Sequence, residues 1–191
     1  MSIFAQFLKN PKNIGAISAS SKKLTEHIIK NAEIKDVKSI VELGPGTGVF
    51  TKEIIANKSN QTIFFCIEIN ETFVKELKKR FEKFENVKIY NDSALNMKTY
   101  LEKNNLKHCD RIISGLPWAS FGKKQQEKLI KTIAECLQQD GIFVTFAYVH
   151  GMILPSARYF RKLLYKHFKK VKCSKIVWNN IPPAFVYIAE K

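Results

Sequence analysis

The sequence has no apolar run of the length needed to span a bilayer, and no repeat, linker or low-complexity segment. Residues 1–13 are short, mixed in character and without a cleavage site, so a signal peptide is not expected either. The expected location is the cytoplasm, in solution or held at a surface. Cysteine is scarce: Cys66, Cys109, Cys136 and Cys173 are scattered without a C-x-x-C pair. That spacing fits neither a zinc site nor a disulfide framework, so no metal is expected and a reducing compartment is the simple reading. Acidic residues are outnumbered, 17 against 32 Lys and Arg, which leaves a net charge of +15 and a pI near 9.7. An anionic partner follows, either nucleic acid or an anionic membrane, and charge by itself does not choose between them. At 191 residues the chain can build one well-packed α/β domain and is too short for two.

Two familiar phosphate-binding patterns are missing as well. Gly44, Gly46 and Gly48 alternate, and the dinucleotide fingerprint G-x-G-x-x-G would need its third glycine at the position held by Val49. Six residues separate Gly115 from Gly122, and Lys124 stands where a Walker A loop needs Ser or Thr. What is present is a buried-type strand at 39–43, a tight glycine turn in which the backbone can approach a ligand, and a helix over 47–57. The apolar run at 62–67 reads as a second parallel strand ending at Glu68. An acidic residue about 20 positions after such a turn sits at the tip of the second strand, where it accepts hydrogen bonds from ribose hydroxyls.

Strands and helices go on alternating. A helix over 71–84 turns Phe73, Leu77, Phe81 and Phe84 inward, a third strand at 87–90 leads to Asp92 and Ser93, and a helix covers 94–104. The fourth strand, 111–114, ends in Ser114-Gly115-Leu116-Pro117-Trp118, a loop placed over the crevice where open α/β sheets bind ligands. A helix over 125–138, a turn at Asp140-Gly141 and a fifth strand at 142–148 follow. The helix over 155–170 carries Tyr159, Phe160, Leu163, Leu164 and Phe168 on one face and Arg158, Arg161, Lys162, Lys166 and Lys169 on the other. Segments 171–178 and 184–189 form a terminal antiparallel pair.

The amino-terminal segment precedes this unit. Ile3, Phe4, Phe7 and Leu8 share one face of a short helix over 2–10, stopped by Pro11. That helix either packs on the domain or serves as an interfacial anchor or lid. Residues 13–21 are small and polar, read as a loop able to cross the site, and end in an N-cap for a helix over 22–31.

The strand, glycine turn and paired acidic residues Glu42 and Glu68 resemble motif I of the class I S-adenosylmethionine-dependent methyltransferases. Taken with N-P-x-x-I-G-A-I-x-x-S-S (10–21), E-L-G-P-G-T-G-V-F-T (42–51), I-E-x-N-x-x-F (67–73), S-G-L-P-W (114–118) and N-I-P-P-A-F-V (180–186), nearly the whole chain looks like the bacterial phospholipid N-methyltransferases. The resemblance implies a single Rossmann-like domain over 1–191, with residues 1–31 as an amphipathic and lid-like extension. Its sheet would be mostly parallel and seven-stranded, with helices on both faces and an antiparallel C-terminal pair. It implies S-adenosyl-L-methionine as cofactor, held by Glu42, Gly44, Gly46, Thr47, Gly48, Glu68, Ile69, Asp92, Ser93 and Ser114. Asp92 would face the adenine amino group or cap the helix that follows, or do both. It implies methyl transfer to the amine of phosphatidylethanolamine and its mono- and dimethyl forms, leading to phosphatidylcholine. The acceptor side would be Ser114, Trp118 and Tyr148, the two aromatic faces holding an ammonium head group by cation–π attraction, although Tyr148 reads equally as an ordinary rim aromatic. His150 is placed to relay a proton, though an ordinary surface or core histidine is the stronger reading of it. The partner would be an anionic phospholipid surface, met by Ile3, Phe4, Phe7, Leu8 and the basic faces, with the enzyme peripheral to the inner face of the membrane.

These enzymes are similar to the ribosomal RNA adenine dimethyltransferases, whose fourth-strand loop usually begins with asparagine in N-[LI]-P-[YF]. Ser114 replaces that asparagine here, and the extra C-terminal helical domain of those enzymes is not expected. RNA adenine methylation is therefore the weaker alternative, and a non-catalytic basic membrane- or RNA-binding module weaker again.

Overall fold

The computed structural model describes the backbone of residues 14–191 and side chains from residue 22 onward. The expected helix over 2–10, with Ile3, Phe4, Phe7 and Leu8, lies outside the described residues. The first described element is α1 (Ile14–Ala32), longer than the expected 22–31. Residues 14–21, read as a loop from their small polar side chains, are helical. The later turns supply the reason: Leu24, Ile28, Ile29 and Ala32 are buried against the sheet, and a helix anchored there extends outward through residues of only mildly unfavourable propensity.

Strands β1 (Ser39–Leu43), β2 (Ile63–Glu68), β3 (Val87–Asn91), β4 (Cys109–Ser114) and β5 (Leu137–Tyr148) alternate with α2 (Val49–Asn57), α3 (Glu71–Arg80), α4 (Met97–Lys103) and α5 (Lys123–Cys136). Then come α6 (Pro155–His167), β6 (Lys170–Cys173) and β7 (Ala184–Glu190). The seven strands run β3-β2-β1-β4-β5-β7-β6, the first five parallel, β7 antiparallel to β5 and β6 antiparallel to β7. This is the Rossmann-like architecture expected from the sequence. Several boundaries move. Helix α3 stops at Arg80, leaving Phe84 exposed and Val74 in the core instead. The expected helix over 94–104 splits into a 3-10 turn (Ala94–Asn96) and α4. Strand β5 begins at Leu137 and takes up the Asp140-Gly141 turn as an irregularity, with Cys109 pairing Leu137 and Arg111 pairing Ile142.

Strands buried on both faces need apolar side chains on both, and here they have them. On one face α1, α2 and α3 pack Ile28, Ile54 and Leu77 against Phe64, Cys66 and Val144. On the other α4, α5 and α6 pack Leu101, Ile130 and Leu164 against Phe65, Ile112 and Phe143. At the amino ends of the strands, Asp110 Oδ2 accepts from both Ser39 N and Ser39 Oγ at 2.7 Å, locking β1 to β4. Strand order reverses between β1 and β4, so the crevice for a ligand lies outside their carboxyl ends.

Trp118 departs from its expected role. The indole does not line an open pocket: it is 4% exposed, stacked on Phe160 at 4.5 Å, and donates through Nε1 to Thr145 Oγ1 at 3.0 Å. Thr145 in turn donates to Ser114 O at 2.9 Å, and Gln126 Nε2 donates to Trp118 O at 2.7 Å. An aromatic at the tip of a central strand was free to turn either way, and burying its large apolar area with the indole N–H satisfied favours the interior. Trp118 therefore bolts the fourth-strand loop to α6. Trp118→Ala should cost about 3–5 kcal/mol of stability in urea unfolding, as for other large aromatic truncations in a core. An unchanged midpoint with lost turnover would return Trp118 to the acceptor pocket.

Candidate active site

The glycine turn is shaped by contact with the loop after β4. Gly44, Gly46 and Gly48 have φ of 68°, 55° and 81°, the left-handed region that favours glycine. Gly44 N donates to Ile67 O and Gly115 N to Leu43 O, both at 2.9 Å. A Cβ on Gly115 would lie 2.5 Å from Gly44 O, and one on Gly44 would lie 2.8 Å from Leu116 Cδ2. Glycine is thus required on both sides of this approach. Among the described residues nothing lies within 4 Å of where a Cβ on Gly46 would be, so the turn faces open space there.

Glu68 closes the turn from the tip of β2. Oε2 accepts from Gly46 N at 3.0 Å and Oε1 from Asn70 N at 2.9 Å, which leaves a lone pair on each oxygen. Asn70 caps α3 by accepting from Thr72 N and Phe73 N, and Asn91 Nδ2 donates to Glu68 O and Ile69 O. Thr47 is exposed, its carbonyl accepting from Arg80 at 2.7 Å, and Ile69, just past the end of β2, is exposed as well. Asp92 Oδ1 accepts from Ser93 N and Asn96 Nδ2, and Oδ2 from Tyr100 OH at 2.8 Å. The Tyr100 hydroxyl, then the Ser93 amide and the Asn96 amide, hold the Asp92 carboxyl below its usual range. The capping oxygen at Leu95 N belongs to Ser93, not Asp92.

Glu42 is placed differently from its expected role. It is fully buried beneath the turn, its Oε2 accepting from Thr51 Oγ1 at 2.7 Å and Cys66 Sγ at 3.3 Å, and it has no surface from which to touch a ligand. Its Oε1 has no hydrogen-bond partner among the described residues. Burial pushes the Glu42 carboxyl up from 4.5 to about 7, against the opposing pull of the Thr51 hydroxyl. Glu42 is a positioning residue, tying the first turns of α2 to β1. Ser114 is likewise fully buried, its Oγ accepting from Leu116 N at 3.2 Å, so its role is to shape the loop.

Tyr148 ends β5, half-buried, with His150 stacked on it at 5.7 Å and the phenol raised above its ordinary range by burial. Four strand spacings, about 19 Å, separate the tips of β3 and β5, so Asp92 and Tyr148 mark opposite ends of the crevice. Sequence reading missed the supporting partners. Asn70 carried a signal, a cap residue just ahead of an amphipathic run, whereas Tyr100, Thr51 and Arg80 carried none.

A switch-point crevice, a glycine turn without phosphate-cradling spacing, and carboxylates suited to hydroxyls and amines define a class I S-adenosylmethionine-dependent methyltransferase. Solved structures agree on the fold. N-methyltransferase NodS from Bradyrhizobium japonicum superposes with TM-score 0.72 at 11% identity over 91% of this chain and 97% of its own. The Bacillus cereus O-methyltransferase in complex with SAH gives 0.69 at 13% over 91% and 81%.

Residues 6–145 match the family model of ribosomal RNA adenine dimethylase, and the chain belongs to that family. Among curated relatives, the ornithine lipid N-methyltransferase of Singulisphaera acidiphila is 27% identical over 95% of this chain and 91% of its own length. The ribosomal RNA small subunit methyltransferase A of Borreliella burgdorferi is 31% identical over 86% of this chain, which spans only 56% of that relative.

The residues present fit the cofactor: open space above Gly46, a nearly buried carboxylate at Glu68 with lone pairs to spare, and the ionised Asp92 further along. Losing a charge-assisted hydrogen bond costs about 1.5–3 kcal/mol, so Glu68→Ala should weaken S-adenosylmethionine about tenfold or more by calorimetry. Unchanged affinity would refute the ribose assignment. Because the Glu42 carboxyl is raised on folding, the stability of its protonated form is complete below pH 4.5 and is lost as pH rises through about 7. Glu42→Gln should remove that decline, the gap to the parent widening by on the order of 3 kcal/mol across the window in unfolding titrations. Parallel pH profiles would show Glu42 to be ionised in the folded protein.

Proposed function

We propose that the enzyme transfers the sulfonium methyl group to the amine of a membrane aminolipid, phosphatidylethanolamine and its partly methylated forms first, towards phosphatidylcholine. The observation that carries this reading is the state of the fourth-strand loop. Enzymes acting on a base stack the extruded base between aromatic or apolar side chains and hydrogen-bond its edge. Here Trp118 is turned into the core, and Ser114 is fully buried, its Oγ accepting from Leu116 N. The loop therefore offers an adenine neither a free aromatic face nor a carboxamide. The lipid-modifying relative, matched along nearly all of both chains, supports the same reading, and so does the exposed basic face of α6 with Arg158, Arg161, Lys162 and Lys166.

Cofactor chemistry brings an already activated methyl group, so the chain's work is alignment of a neutral amine and removal of its proton. In this reading Tyr148, at the end of the crevice away from Asp92, offers an ammonium the ring face not stacked on His150, before the amine is deprotonated. The favoured surface is an anionic bilayer, approached through the basic faces and the segment with Ile3, Phe4, Phe7 and Leu8.

RNA adenine methylation is the second reading, favoured by the family model and by the ribosomal RNA methyltransferase relatives. Incubation of the protein with methyl-labelled cofactor and, separately, phosphatidylethanolamine vesicles, ornithine-lipid vesicles or small-subunit ribosomal RNA decides between them. Label is expected in the phosphatidylethanolamine fraction, reduced at least about tenfold in Tyr148→Ala at unchanged cofactor affinity. Label in ornithine lipid alone would keep the class and change the acceptor; label in RNA alone would overturn the reading.

A further inference from the structure

Beside the catalytic edge, the chain builds a second surface that the chemistry above leaves unused. The segment joining β6 to β7 turns back along the edge of the sheet, with Val177 bridged to Ala184 and Ser174 N donating to Val186 O at 2.8 Å. Between this segment and α1 lies a groove of about 380 Å³ lined by Lys23, His27, Ile176, Val177, Trp178 and Asn179. Its polar lining is cationic and amide in character. His27 Nε2 is buried with no hydrogen-bond partner, and Lys23 makes no ion pair among the described residues. The same segment carries open apolar side chains: Trp178, which lines the groove, is 67% exposed, and Ile181, three residues on, 73%. Val149 N donates to Pro183 O at 2.9 Å, tying this segment to the turn after β5, where Ile153 is 74% exposed. Large apolar side chains this open, gathered at one end of the sheet, mark an interaction surface.

We propose that this groove is a non-catalytic site for the phosphodiester of an anionic phospholipid, with Trp178, Ile181 and Ile153 set into the acyl boundary of the bilayer. The proposal rests on the aminolipid reading for its biological sense, but its binding test does not. Lys23 supplies charge, and His27 Nε2 and the Asn179 amide supply hydrogen-bonding positions for phosphate oxygens. The indole of Trp178 suits the headgroup level, where one end of the ring is apolar and the other wet. A bilayer is favoured over nucleic acid because a phosphate backbone would meet Lys23 and His27 but leave Ile153 and Ile181 without any contact. The net charge of +15 matches an anionic surface. Ala184 pairs with Tyr148, so a membrane held here meets the same edge of the sheet as the methyl-transfer crevice. A lipid amine can then reach the crevice without leaving the membrane.

Co-sedimentation of the full chain with vesicles of phosphatidylglycerol and phosphatidylethanolamine tests the site, phosphatidylcholine vesicles being the neutral control. Each cationic contact at an anionic surface is worth about fivefold in affinity, so Lys23→Glu with His27→Gln should weaken binding to the anionic vesicles by about tenfold or more. Trp178→Asp with Ile181→Asp should weaken it further through the lost apolar insertion. Cofactor affinity, unfolding midpoint and methylation of a short-chain, monomeric phosphatidylethanolamine are expected to stay at parent values in both variants. Parent-like sedimentation of both would overturn the proposal. So would equal loss of activity on the monomeric lipid, which would place these residues in the acceptor site, or release from vesicles by ribosomal RNA that depends on Lys23 and His27. Absence of methyl transfer to every aminolipid, with vesicle binding intact and sensitive to these variants, would sink the aminolipid reading and leave the site standing.

Discussion

Two backbone turns meet above the switch point of the sheet, and the rest of the site depends on how closely they meet. Gly115 N reaches back to Leu43 O, and the carbonyl of Gly44 sits where a side chain on Gly115 would begin. Any β-carbon there would push the β1 and β4 loops apart, and the crevice would open at its centre. The approach is supported from below by the Asp110–Ser39 lock at the amino ends of the same two strands. It is supported from the side by Trp118, which holds the β4 loop down on Thr145 and Phe160.

Around that junction, each carboxylate is assigned its work by its surroundings. Glu68, at a strand tip, accepts from two amides and keeps a lone pair on each oxygen for a ligand. Asp92 is held ionised by Tyr100 and by its own turn. Glu42, with the same side chain as Glu68 and only one strand away, sits in the apolar layer where desolvation outweighs its hydrogen bonds and favours the neutral acid. A single ligand-binding edge thus contains two carboxylates with acceptor positions to spare and a buried prop. The prop's value lies in fixing Thr51 and the start of α2, so the glycine turn is held from both ends.

Two chemistries occur among the proteins this chain resembles. Its family model is that of RNA base methylation, and a relative matched over most of both chains modifies a lipid. An inward Trp118 and a half-buried Tyr148 leave a rim without a base-stacking platform. The exposed apolar tips after β5 and before β7 lie along that rim, a few residues from the crevice in sequence and beside it in space.

Local pattern was enough for much of this. Apolar runs of five or six residues named the strands, 3.6-residue periodicity named most helices, and the spacing of Gly44, Gly46 and Gly48 with Glu68 named the cofactor turn, because each depends on residues close in the chain. Where propensity was weak the pattern misled: residues 14–21 looked like a loop, and only the packing of Leu24, Ile28 and Ile29 on the sheet explains why they continue a helix. Tertiary structure alone decided which way Trp118 faces, that Glu42 is a buried prop rather than a contact, that Tyr100 closes on Asp92, and that Lys23 and His27 share a groove with Trp178. Each of these turns on burial or on contact between segments that sequence spacing leaves unrelated. The energy of desolving a carboxyl or burying an indole exists only once the two faces of the sheet are filled.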